Sequence, residues 1–154
     1  MWKGEVVGIF IAPEKAVSLV SQNEVLAVAG KGLEGDRYFK QVGTYSDRLD
    51  PGRQVTLIEL ETIDALNTDL GIDFSLGDSR RNIVTRGVAL NELVGQELRI
   101  GGARVRCIRL CEPCAYMQSL TQEGVLEALT HQGGLNAEVL AGGVIRVGDP
   151  IEGG

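Results

Sequence analysis

Cys107, Cys111 and Cys114 fall within eight residues of one another, and clustered thiols are where chemistry is to be sought first. An odd, local set does not suit a disulfide framework, which uses an even count spread along the chain. In a reducing compartment such a cluster points instead to metal, redox or sulfur chemistry. Cys111-Glu112-Pro113-Cys114 follows a run, Ala103 to Ile108, that reads as a strand. Pro113 cannot continue that strand, so Cys114 is expected at a turn, opening a short helix over Ala115–Leu120. Unpaired backbone N–H groups there favour thiolate over thiol, with the adjacent Glu112 opposing the shift. A thiolate attacks sulfur, carries a persulfide or binds a soft metal. Cys107, in mid-strand, is expected to be a small buried residue. Cys111, next to the strand, is the natural resolving thiol for Cys114.

Two other uses of the cluster follow from spacing. A thioredoxin-like C-x-x-C site wants a βαβ pattern around it, which the sequence does not display. A tetrahedral zinc site is arithmetically complete with Cys107, Cys111, Cys114 and the sole histidine, His131, although C-x3-C along one strand is an awkward ligand pair. Away from the thiols, Arg80-Arg81-Asn82 precedes an apolar run. Guanidinium forks match phosphate and carboxylate, so the doublet reads as an anion clamp or as solvated loop charge. Glu34-Gly35-Asp36-Arg37 reads as a turn with a local ion pair, and His131 as a helix C-cap.

The elements that must position these groups are short. Gly4–Ala12 reads as a strand stopped by Pro13, and Glu24–Ala29 as a second. Residues 31–51 show no period and read as a long loop, a length usually tied to function or disorder. Gln54–Ile58 predicts a strand. Leu60, Ile63, Leu66 and Leu70 form a helical stripe ending at Gly71. Arg81–Thr85 predicts a buried strand. Leu98–Ile100 and Ala103–Ile108 flank Gly101-Gly102, and Val144–Val147 and Pro150-Ile151 flank Gly148-Asp149; each pair is expected to be a hairpin. A further short helix is expected from Thr121 to near Gly133. Short strands punctuated by 21 glycines, without βαβ alternation, favour a barrel or sandwich over a parallel sheet.

The 154 residues are expected to form a single domain over 1–154. A net charge of −6 argues against nucleic acid or an anionic membrane as partner, since both need a basic face. It leaves room for a small anionic ligand held by local arginines. No apolar run approaches the ~20 residues that span a bilayer, and the amino terminus lacks a signal-peptide pattern, so the chain is expected to be cytoplasmic.

In order along the chain, several segments resemble the MOSC family, small mostly-β domains related to the C-terminal part of molybdenum-cofactor sulfurase. They are Glu34-Gly35-Asp36-Arg37, Arg53–Ile58, Arg81–Gly87, Leu93–Gly101, Cys111–Cys114, His131–Leu135 and Gly143–Asp149. The likeness runs from about Gly32 to the end. It implies a β-barrel-like fold, similar to the pyruvate-kinase β-barrel, with a few short helices and a cleft holding a catalytic cysteine. It further implies that Cys114 ligates molybdenum or carries sulfur, with Cys111 supporting it. Arg37, Arg80, Arg81 and Asn82 would line the anionic end of a molybdenum cofactor. Tyr38 and Gln132 depart from the family's usual histidine and arginine. The activities implied are cofactor binding, sulfur carriage, sulfur transfer, or reduction of N-hydroxylated compounds. The chain carries no flavin or iron–sulfur motif, so redox turnover requires an electron-donor protein, and sulfur carriage a sulfur donor. A non-catalytic delivery module and a zinc-stabilised structural domain are the alternatives.

The position of Cys114 generates the first prediction. Across the three single Cys→Ser variants, alkylation rate against pH should assign the fastest, lowest-pKa thiol to Cys114, and Cys114→Ser should abolish that phase. Retention of rapid alkylation in Cys114→Ser would move the working sulfur elsewhere.

Overall fold

The computed structural model describes residues 3–11, 20–36, 54–70, 81–110 and 134–153. Eleven strands are formed in this part of the chain. They are β1 (Gly4–Ile11), β2 (Val20–Gln22), β3 (Glu24–Val28), β4 (Gly32–Leu33), β5 (Val55–Glu59), β6 (Ile83–Arg86), β7 (Glu97–Ile100), β8 (Ala103–Leu110), β9 (Leu135–Ala141), β10 (Gly143–Arg146) and β11 (Pro150–Gly153). One α-helix, α1 (Leu60–Leu70), and a 3-10 turn at Leu90–Leu93 complete the described elements.

Seven strands close into a barrel in the order β11-β7-β8-β9-β5-β6-β1, sealed by β1 against β11 through Gly4↔Ile151 and Glu5↔Pro150. Alternation of inward apolar and outward polar residues is clearest on β8, where Ala103, Val105 and Cys107 are buried and Arg104 and Arg106 exposed. Bulges interrupt the β1–β6 ladder between Val6 and Gly8, and the β8–β9 ladder at two places. Extra residues of this kind bend strands and raise their twist, as closure of a small barrel requires.

The mostly-β barrel expected from the sequence is what forms, and six of its seven ladders are antiparallel. The exception is β5 beside β6, which is parallel with Leu57↔Ile83 and Ile58↔Val84. A parallel pair needs a crossover, and α1 lies in that connection. Ile58, Val84 and Ile63 are buried there, apart from the barrel's own core cluster. The helix therefore gives β5 and β6 a second covered face, and both read as continuous apolar runs for that reason.

The Gly101-Gly102 hairpin forms as expected, with Ile100 opposite Ala103. The one expected at Gly148-Asp149 does not. β10 pairs with β3 and β11 with β7 and β1, so this turn passes the chain from a small second sheet, β10-β3-β4, back into the barrel. Gly148 N–H donates to Val6 O (2.7 Å) and Val6 N–H to Asp149 O (2.9 Å), which ties the turn to β1 as well as to Arg146, whose O accepts from Asp149 N–H at 3.0 Å. Residues Gly32–Leu33, inside the expected long loop, form β4 of this second sheet. The small sheet shares the barrel's core through Val25, Ala27, Leu33 and Ile145. The helices expected over 115–120 and 121–133 lie outside the described residues.

β9 was not legible as a strand, yet it joins β8 to β5. Its start is fixed by Gly134, whose φ is +95° and on which a Cβ would fall onto Leu57 O. Any side chain there meets backbone that cannot move without breaking the β5–β9 ladder. Gly134→Ala should cost about 3 kcal/mol, with backbone strain and steric overlap both contributing. Gly95→Ala, also at positive φ but in open space, should cost about 1 kcal/mol. Urea unfolding of the two variants checks the contrast.

Candidate functional site

Five polar residues are buried among the described ones: Asp36, Gln54, Arg81, Asn82 and Thr85. Four of them gather where β5 and β6 begin. Gln54 immediately precedes β5, its Oε1 accepting from Val139 N–H at 2.8 Å. Arg81 and Asn82 immediately precede β6. Asp36 closes the turn after β4, its N–H donating to Leu33 O at 3.1 Å.

Asn82 is the centre of this group. Its Oδ1 accepts from Thr56 N–H (3.0 Å) and from the Thr56 hydroxyl (3.1 Å). Its Nδ2 donates to Phe10 O (3.0 Å) and, more weakly, to Asp36 Oδ1 (3.4 Å). The backbone is equally engaged, with Asn82 N–H donating to Thr56 Oγ1 (2.9 Å) and Asn82 O accepting from Phe10 N–H (2.7 Å). One side-chain amide thus continues two ladders past the end of the regular strand, joining β1, β5 and the turn after β4 at the start of β6.

Of the residues singled out from the sequence, Arg81 and Asn82 lie in this cluster. Arg81 is 6% exposed, so its charge acts in a setting shielded from water, where electrostatic effects are stronger. Arg37, Arg80, Cys111, Cys114 and His131 lie outside the described residues. Asp36 was visible in the sequence only as a turn residue. Gln54 and Thr56 carried a signal as polar residues set into an apolar strand.

Register places the cluster relative to the end of β8. Leu110, Leu135, Leu57 and Ile83 are successive partners across β8, β9, β5 and β6. β8, β5 and β6 run past this row in the same direction. Arg81 and Asn82 come just before it on β6, whereas β8 ends on it at Leu110. Three interstrand steps separate the two strands, about 14 Å.

Cys107 is fully buried opposite Ala137. Burial pushes its thiol up to about 11, so only about 0.1% is thiolate at pH 8. It fills the core, as its mid-strand position suggested. At the other end of the parallel pair, burial and then the neighbouring Glu61 raise the Glu59 carboxyl, while Glu61 accepts from Gly87 N–H at 2.9 Å. A shallow depression of about 410 Å3 lies at that end, between Lys3, Glu5, Arg86 and Pro150, with Arg86 and Glu5 in an exposed ion pair. Among the described residues no cluster of His, Cys, Asp or Glu is arranged to hold a metal ion, and no helix is long and apolar enough to cross a membrane.

Removing the Asn82 side chain leaves Phe10 O and Thr56 N–H without partners. Asn82→Ala should therefore destabilise the domain by about 3 kcal/mol. Asn82→Asp sets a second carboxylate beside Asp36, which raises the pKa of the introduced acid. Its deficit should be largest at pH 8 and shrink as pH falls towards 5, because the protonated acid no longer repels Asp36. Denaturant titrations at the two pH values read both effects.

The sequence pattern of the MOSC domain matches residues 44–152. No curated protein matches the sequence. Among solved structures, the YuaD protein from Bacillus subtilis superposes with a TM-score of 0.80 at 19% identity, over 99% of this chain and 97% of that one. YiiM from Geobacillus stearothermophilus gives 0.75 at 16% identity, over 97% of this chain and 74% of that one. YiiM from Escherichia coli gives 0.69 at 17% identity, over 96% and 68%. These neighbours share the fold, and the domain match covers more than half of the chain: the protein belongs to the MOSC domain family.

Proposed function

We propose that this MOSC protein binds molybdenum cofactor or carries sulfur, with Cys114 as metal ligand or persulfide carrier and Cys111 as its resolving thiol. Arg37, Arg80 and Arg81 face the anionic end of the ligand, and Asn82 holds Arg81 in place through the ladders it completes. The observation that carries the proposal is Arg81, a covered guanidinium adjoining an internally bonded polar cluster on a MOSC barrel.

The donor set fits the group. A guanidinium has five N–H donors in a fixed fork, enough to serve a protein partner and a phosphate together. A thiolate suits a soft metal or sulfur. When bound, the cofactor would supply the redox-active metal centre. The chain's own part is to hold the anionic tail at Arg81, to exclude water around it, and to present a thiolate at Cys114. Reduction of an N-hydroxylated substrate would draw electrons from a separate donor protein, and sulfur carriage would draw on a sulfur donor. The protein would act on a small-molecule ligand in the cytoplasm, with neither nucleic acid nor membrane as partner.

Protein purified from a host able to make the cofactor should contain molybdenum with pterin, or labile sulfur, near one per chain, and Cys114→Ser should lose it. Arg81→Ala should fold and retain at least tenfold less cofactor, the loss expected from one charge-assisted hydrogen bond of about 1.5–3 kcal/mol. Zinc near one per chain, with neither molybdenum nor labile sulfur, would overturn the proposal.

A further inference from the structure

Asp36 is 2% exposed, and its position is over-determined by backbone on both sides. Glu34 N–H donates to Leu26 O at 2.9 Å and Asp36 N–H to Leu33 O at 3.1 Å, which fixes the turn after β4. Gly32 lies against Gln54, where a Cβ would strike the Gln54 carbonyl, and a Cβ on Gly35 would stand 3.0 Å from the Ile11 side chain. The turn is thereby pressed between the end of β1 and the start of β5. Its one buried carboxylate is aimed at Asn82 Nδ2, 3.4 Å away.

Among the described buried residues Asp36 is the only acid and Arg81 the only base. They flank the same asparagine, one through a hydrogen bond and the other through a peptide bond. A buried charge is tolerated when an opposite one lies near. The long Asp36–Asn82 contact orients the amide without consuming the carboxylate's charge. We infer that Asp36 is both the positioning residue of the anion end, acting through Asn82, and its resident counter-charge, which restrains how tightly Arg81 holds an anion. This rests on the anion end assigned to Arg81 above.

The two roles separate on substitution. Asp36→Asn keeps the shape and an acceptor for Asn82 Nδ2 but removes the charge, whereas Asp36→Ala removes both. A residue that only supports the fold would leave anion affinity unchanged or weakened in Asp36→Asn. A counter-charge, once removed, makes affinity rise.

Calorimetric titration with inorganic pyrophosphate at low salt provides the test, on the wild-type chain and on Asp36→Asn, Asp36→Ala and Arg81→Ala. Thermal unfolding of each is followed in parallel. Asp36→Asn should unfold near the wild-type temperature and bind pyrophosphate about tenfold more tightly, the order expected for one unit charge removed from a partly shielded site. Asp36→Ala should unfold earlier, and Arg81→Ala should bind at least tenfold more weakly. If Arg81→Ala weakens binding while Asp36→Asn leaves it unchanged or weaker, the role of Asp36 is overturned and the anion end stands. If Arg81→Ala binds as the wild type does, or the wild type shows no binding, the anion end itself falls and the inference with it.

Discussion

The start of β6 is held by a side chain where backbone alone cannot hold it. β6 has four residues and must pair with an antiparallel neighbour on one side and a parallel one on the other. The two patterns space their hydrogen bonds differently, so they run out of step at the strand's end. Asn82 resolves the mismatch because its amide presents the same donor and acceptor pair as a peptide group. It serves Phe10 on β1 with its Nδ2 and Thr56 on β5 with its Oδ1. The site depends on this arrangement, since Arg81 adjoins Asn82 in the chain and Asp36 meets its amide.

A second constraint is the density of the core. A Cβ on Gly134 would fall onto the Leu57 carbonyl, and one on Gly143 onto the Gly102 carbonyl. These approaches let the β7–β8 hairpin meet the small sheet, and let β9 insert beside β5, at distances that no side chain would permit. Interiors packed to this degree transmit displacement rather than absorb it. The polar cluster at the start of β5 and β6 therefore inherits rigidity from the barrel.

Legibility in the sequence followed the physics of each element. α1 was readable to the residue because its apolar stripe has the helical period and a glycine follows it. β5, β6 and the β7–β8 hairpin were readable from β-branched runs and the Gly-Gly loop. β9 was not, because Leu135-Asn136-Ala137-Glu138 combines residues of low strand preference. Its burial alternation emerges only once β8 and β5 lie on either side of it. The Gly148-Asp149 turn has the composition of a hairpin loop, and composition cannot show that its flanks belong to different sheets. For the site, Arg81 and Asn82 stood out by type and spacing. The importance of Asp36 did not, since a turn residue 46 positions from its partner becomes visible only when the barrel brings the two together.

The seal of the barrel joins β1 to β11, with Gly4 opposite Ile151. A ribosome makes β1 early and β11 after every other described strand, so this side of the barrel stays open through most of synthesis. During that time the first residues of β1, Gly4 and Glu5, lack the partner that β11 provides and the apolar interior is partly bare, the state most exposed to pairing with the wrong strand. Loss of β11 alone would leave β1 and β7 without the strand that joins them.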